Sequence, residues 1–145
     1  MKCRICKSAT SQHGYLYRCL NVLCSSVFWD KGQVKRSLRR NPEALSQVLE
    51  DAEVPKPLKQ KNSKFVYVLR LKGEKNAVYV GMTGLHPYER YLNHIRGHRA
   101  SGHAKKRATA LITFEGPLTA YEAERREPEL AEELRLKGRI VYGGH

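Results

Sequence analysis

The 145 residues contain no run of apolar residues long enough to cross a bilayer, which excludes a helical membrane protein. The first residues carry no apolar stretch of the signal-peptide kind, so the expectation is a cytoplasmic protein. Internal repeats and low-complexity tracts are also missing, which argues against solenoids and long disordered arrays. Acidic residues are scarce: 14 Asp and Glu face 27 Lys and Arg, a formal charge of +13. Such an imbalance disfavours cationic partners and attracts polyanions, with binding that weakens as salt rises. The excess is uneven. Residues 64 to 107 hold ten basic and two acidic residues, net +8, whereas residues 108 to 145 hold five and seven, net −2.

Cysteine is nearly absent too, but its four copies are grouped. Cys3-x-x-Cys6 is followed by Cys19 and Cys24, a second short knuckle, and two knuckles at this separation suit a tetrahedral zinc site with four thiolate ligands. Disulfides are disfavoured in a chain without a secretory leader. Four protein ligands leave no open coordination position, so this zinc is structural. His13 lies between the knuckles and is a substitute ligand only if a cysteine is displaced. A module of about 30 residues cannot bury enough core alone, so metal binding is expected to supply its folding energy. With Tyr15, Tyr17, Phe28 and Trp29 around it, the pattern resembles the zinc ribbons at the C-terminal end of type I topoisomerases. Its expected task is gripping nucleic acid. Lys35, Arg36, Arg39 and Arg40 follow directly as a basic run, which in most proteins is simply a solvated face. Asn41-Pro42-Glu43 opens a short amphipathic helix ending near Glu53, and residues 54 to 63, with Pro55, Pro57 and several lysines, read as a flexible linker on which the zinc module swings.

Beyond the linker, residues 64 to 70 and 76 to 81 are β-branched and aromatic runs around Lys72-Gly73-Glu74-Lys75, a predicted hairpin. If paired positions sum to an even number, Tyr67 and Tyr79 share a face; a one-residue slip separates them. His86-Pro87-Tyr88-Glu89 starts a helix that Gly97 ends. Tyr88, Tyr91, Leu92 and Ile95 form its apolar stripe, while Arg90 and His94, four apart, share another face. Two phenols, a guanidinium and an imidazole can thus converge. A third strand is expected over residues 109 to 114, a turn at Gly116-Pro117, a helix from Thr119 to Lys137 with Thr119 and Glu122 as its capping pair, and a short last strand at Ile140-Val141-Tyr142.

The triplets Phe65-Val66-Tyr67 and Tyr79-Val80-Gly81, with Arg90, His94, and Ala123-x-x-x-Glu127-x-x-Leu130-Ala131 further on, resemble the GIY-YIG nuclease family, from about residue 64 to 145. Phe65 and Val66 depart from the family's first triplet, while Tyr67 keeps it. The resemblance implies a small α/β domain with a largely antiparallel three-stranded sheet flanked by helices, preceded here by the zinc ribbon. It also implies phosphodiester hydrolysis. Glu127 is then the ligand of one catalytic Mg2+ or Mn2+, since such cations are often held by one carboxylate plus waters and phosphate. Arg90 clamps the scissile phosphate with its planar fork. Tyr79 or Tyr67 orients or deprotonates the water, with activity rising toward alkaline pH because a free phenol titrates near about 10. His94 assists the tyrosine or contacts phosphate, and Gly81 lets the backbone approach substrate. Pro128, next to Glu127, is expected to kink the last helix; if that re-aims Glu127, Glu124 takes its place.

The organisation expected from sequence is therefore a zinc-ribbon module at 1–34, a basic stretch, short helix and linker at 35–63, and a catalytic domain at 64–145. DNA contacts fall on Gly81, Lys35, Arg36, Arg39, Arg40, Lys105, Lys106 and Arg107. The expected partner is DNA, nicked one strand at a time by a monomer or weak dimer. A ribonuclease of the same chemistry and a non-catalytic zinc-ribbon adaptor are the alternatives, because nothing in these residues reads a 2′-hydroxyl or a base edge.

Overall fold

The computed structural model describes residues 1–54, 63–97 and 107–144. Lys105, Lys106 and nearly all of the expected linker lie outside the described residues. The elements are β1 (Thr10–His13), β2 (Leu16–Cys19), β3 (Val27–Trp29), α1 (Lys31–Arg40), a 3-10 turn (Pro42–Ala44), α2 (Leu45–Asp51), β4 (Lys64–Leu71), β5 (Ala77–Thr83), α3 (Pro87–Arg96), β6 (Ala108–Leu118), α4 (Ala120–Leu136) and β7 (Ile140–Gly143).

The α/β class holds, but the sheet is larger than the three strands expected. Seven strands run in the order β1-β2-β3-β6-β4-β5-β7, antiparallel except for β5 and β7, which pair in parallel. The three strands of the cysteine-bearing segment join the others through β3 beside β6, with Val27 opposite Leu111. They are fastened there as well. Arg4, inside the first knuckle, donates to the Thr109 carbonyl at 3.0 Å, and its guanidinium lies 4.3 Å from the centre of the Phe28 ring. Trp29 is fully buried and donates its indole N–H to the Tyr88 carbonyl at 3.0 Å. One core cluster contains Phe28, Trp29, Val34 and Leu38 together with Tyr67, Leu69, Tyr91 and Leu92. Residues 1–34 are thus docked, not swinging, because their aromatic face has no other apolar surface to cover it.

The basic run is helical. It occupies α1, which begins at Lys31 with Asp30 accepting from the Gln33 amide at 3.1 Å, so the helix crosses the boundary expected at residue 34. Val34 and Leu38, four apart, are its buried stripe, and Lys35, Arg36, Arg39 and Arg40 stay in solvent.

Period-two alternation in β4 splits the domain into two layers. Tyr67 and Leu69 point to the face covered by α3, and Val66 and Val68, with Val78 and Val80 of β5, meet Ala123, Leu130 and Ala131 of α4 on the opposite face. Strand β6 runs on to Leu118, through the Gly116-Pro117 pair at which the sequence predicted a turn. Helix α4 runs from Ala120 through Pro128 to Leu136, with Pro128 exposed on its solvent face. Thr119 and Glu122 form the capping pair: the Glu122 amide donates to Thr119 Oγ1 at 3.1 Å, and the Thr119 hydroxyl bonds back to the Glu122 carboxylate. Among the described residues no helix is long and apolar enough to cross a membrane.

Candidate active site and metal centre

The β4–β5 register pairs Tyr67 with Gly81 and Leu69 with Tyr79, even sums throughout, so both tyrosines share the α3 face as diagonal neighbours. Their ring centres are 6.3 Å apart. His94, projecting from α3, sits 5.8 Å from the Tyr67 ring and 5.7 Å from the Tyr79 ring, edge-on to the latter. The Tyr67 hydroxyl and His94 Nε2 share a hydrogen bond of 2.8 Å, while His94 Nδ1 is buried with no partner among the described residues. Tyr67 is 1% exposed and His94 is 0% exposed, whereas Tyr79 and Arg90 are half-buried.

Burial dominates the electrostatics of this pair. It pushes the Tyr67 phenol well above its usual range, with Arg90 pulling it back and the Tyr79 and Glu127 charges pushing it further up. Burial, helped by the positive charge of Arg90, pushes His94 down to about 3, so the imidazole is neutral at physiological pH. Arg90 and Glu127 therefore both bear on the same phenol, one from α3 and one from α4. Glu127 is 7% exposed and belongs to the α4 stripe of Ala123, Leu130 and Ala131 that faces the sheet. Glu124 points to solvent.

Gly81 has a steric role that the local pattern did not announce. A Cβ there would lie 2.6 Å from the Tyr67 hydroxyl oxygen, 2.7 Å from its Cζ and 2.9 Å from Tyr79 Cε1. The missing side chain makes room for the two phenols. Gly143, with φ at +75°, lies on the other side of Tyr79: a Cβ there would meet the Val80 carbonyl oxygen first and then Tyr79 Cε2 at 3.0 Å. The sequence signal was the Gly143-Gly144 pair after the last strand, which the local pattern could not connect to Tyr79. A second group was also missed. Phe65, His86, Tyr88 and Phe114 are all half-buried and form a ring cluster next to the tyrosines, with His86 4.7 Å from the Tyr88 ring and 5.7 Å from that of Phe114. Its members come from separate stretches of the chain, so no linear motif announces it.

Arg107 does not stand free for DNA. Its guanidinium donates to the Lys72 carbonyl at 2.9 Å and to Glu74 at 3.0 Å, and lies 5.2 Å from the Tyr142 ring centre, tying the start of β6 to the β4–β5 hairpin.

The four cysteines meet at one point. No disulfide joins them, and their Sγ atoms all lie within 4.8 Å of one another, with Cys3 and Cys24 at 3.8 Å and Cys6 and Cys19 at 3.5 Å. Zinc–sulfur bonds of about 2.3 Å imply tetrahedral sulfur–sulfur edges of about 3.8 Å, so this group can hold a metal ion such as zinc. Backbone amides two residues on from the first cysteine of each knuckle point at its sulfur, Ile5 at Cys3 and Asn21 at Cys19, each at 3.4 Å. Such donors stabilise thiolate charge. Hydrogen bonds from Ser8 push the Cys6 thiol down to about 6. His13 turns away, toward Glu53 at 3.7 Å. Among the described residues no other group of three or more His, Cys, Asp or Glu side chains could hold an ion.

Comparison with protein-family models, with curated proteins and with solved structures finds no match.

Proposed function

We propose that the chain is a metal-dependent endonuclease that hydrolyses DNA phosphodiester bonds, with a structural zinc ion holding its N-terminal module against the catalytic sheet. The observation that carries this reading is the meeting of Tyr67, Tyr79 and His94 on the α3 face, with the charges of Arg90 and Glu127 felt at the Tyr67 phenol. The overall charge of +13 supplies the attraction to a polyanion. An all-apolar face would serve packing better than two phenols and an imidazole do.

The two tyrosines have different parts. Tyr67, buried, raised and bonded to His94, is a poor base and acts as the fixed post against which Tyr79 is set. Tyr79, half-exposed at the mouth of the group, orients the attacking water. The neutral His94 neither repels Arg90 nor competes with it for phosphate. Arg90 takes two phosphoryl oxygens with its planar fork and absorbs the charge that grows on them. Glu127, a buried carboxylate on the sheet-facing side of α4, fits a hard divalent cation, Mg2+ or Mn2+, that completes its shell with waters and substrate oxygens. Such an ion, when bound, supplies Lewis-acid stabilisation of the leaving oxygen. One site of this kind cuts one strand per engagement, so the product is a nick.

The test is relaxation of supercoiled plasmid in Mg2+ or Mn2+ at equal, zinc-replete protein loading, comparing the wild type with Glu127→Gln and Arg90→Lys. Nicking by the wild type, with a loss of about 100-fold or more in both variants, is the expected result, since removing one electrostatic contact to the reacting group is worth about 10²–10³ in rate. Equal nicking by all three overturns the assignment. Cleavage of RNA alone transfers the same chemistry to a ribonuclease, and binding without any cleavage leaves a nucleic-acid adaptor.

A further inference from the structure

A groove separate from the Tyr67 group opens where the β1–β2 turn of the cysteine-bearing module meets α1 and the 3-10 turn. It is lined by Tyr15, Gln33, Arg36, Ser37, Arg40 and Asn41 and has a volume of about 370 Å³, inside the range of about 300–1,000 Å³ typical of small-ligand sites. Its chemistry is one-sided. No carboxylate lines it, and neither Arg36 nor Arg40 has an ion-pair partner among the described residues. The groove along α4, lined by Glu115, Glu122, Glu129, Arg125 and Arg126, differs in that carboxylates line it, and Glu115 and Glu129 pair with Arg126.

Two features of the α1 groove fit one kind of ligand. Arg36 and Arg40 stand four residues apart on α1, so their forks emerge one above the other on one face and can take successive phosphates. Tyr15 is half-buried at the hairpin turn, anchored by its own carbonyl, which accepts from the Asp30 amide at 2.8 Å, and its ring is a stacking surface. Two guanidinium groups and an aromatic ring are the complement of the phosphates and the base face of a nucleotide whose base is not already paired. A duplex hides its base faces in the stack and cannot use Tyr15.

We infer that this groove binds an unpaired nucleotide of a polynucleotide strand, its base against Tyr15 and its phosphates on Arg36 and Arg40. The inference rests on the nucleic-acid reading above and deepens it, because it makes the favoured substrate one with a single-stranded segment, such as a flap, gap or frayed end, over a closed duplex.

The experiment measures binding of the full zinc-loaded chain, without Mg2+ or Mn2+, to a fluorescent 15-nucleotide dT strand, the corresponding U strand, and a 15-base-pair duplex. Wild type is compared with Tyr15→Leu, which keeps the apolar contact with the core, and with Arg36→Gln/Arg40→Gln. Stacking of one base on an aromatic ring corresponds to about 5- to 150-fold in affinity. The expected result is a single-strand over duplex affinity ratio that falls at least fivefold in Tyr15→Leu, and a shallower salt slope in the double arginine variant. Preference for dT or for U identifies the source of the strand, and either supports the inference. A ratio unchanged in Tyr15→Leu, with the far-UV spectrum of the wild type retained, overturns it. Cleavage is not read, so a failed nuclease assignment and a failed groove are told apart: the ratio can respond to Tyr15 in a protein that cuts nothing.

Discussion

Replacing Gly81 with alanine places one methyl group where Tyr67 and Tyr79 converge. The Cβ would meet the Tyr67 hydroxyl oxygen at 2.6 Å, Cζ at 2.7 Å and Tyr79 Cε1 at 2.9 Å. Tyr67 cannot swing aside freely, because it is buried and bonded to His94 at 2.8 Å. Overpacking of a tight core costs about 1–3 kcal/mol, and a strained or broken Tyr67–His94 bond adds about 0.5–1.5 kcal/mol. A loss of about 2–4 kcal/mol follows from the two together. Urea unfolding followed by the emission of the single tryptophan, Trp29, which is buried in the same core cluster, measures it. The contact is isolated by a cycle with Tyr67→Phe, which removes the oxygen at 2.6 Å but leaves the ring carbon at 2.7 Å, so relief is partial. The double variant should be more stable than the sum of the single effects by about 1 kcal/mol. A Gly81→Ala chain within about 0.5 kcal/mol of the wild type, or strict additivity in the cycle, refutes the argument that this glycine exists to seat the phenols.

Acid sensitivity should trace to His94. Folded, it stays neutral to about 3, whereas an unfolded histidine protonates near about 6.5, so between these values the unfolded chain binds more protons and stability falls as pH drops. The slope of urea midpoint against pH from 7 to 4 should flatten in His94→Gln, and an unchanged slope rejects the assignment. Metal analysis should find one zinc per chain, and its removal by a strong chelator should shift Trp29 emission to longer wavelength as β3 loosens from β6; an unshifted spectrum in metal-free protein would separate the cysteine cluster from the docking of the module. Thr119→Ala should lower stability by about 1 kcal/mol through loss of the α4 cap, read from the same unfolding curves.

Local chemistry made several elements legible. The Lys72 to Asn76 turn, with Gly73 at φ +96° and Asn76 at φ +63°, separates two β-branched runs, and the hairpin stands where it was expected. Pro87 and a left-handed Gly97 bracket α3 as a start and a stop should. Cysteine spacing anticipated the sulfur cluster, because short knuckles bring pairs of thiols together whatever surrounds them. Pro128 does not end α4: it falls on the exposed side of a helix whose other side is held to the sheet by Ala123, Leu130 and Ala131.

By itself, then, the sequence determined most of the strands and helices, the cysteine knuckles and the separation of basic from acidic stretches, since each follows from neighbours a few residues apart. Tertiary structure decided the rest. The β4–β5 register was open until both faces were covered; a slip of one residue would carry Tyr67 into the valine layer under α4. The approach of Gly143 to Tyr79, the commitment of Arg107 to Glu74, the bond from Trp29 to the Tyr88 carbonyl of α3 and the groove between Tyr15 and Arg40 each join residues from separate elements far apart in the chain. Only burial of a shared apolar surface brings such groups together.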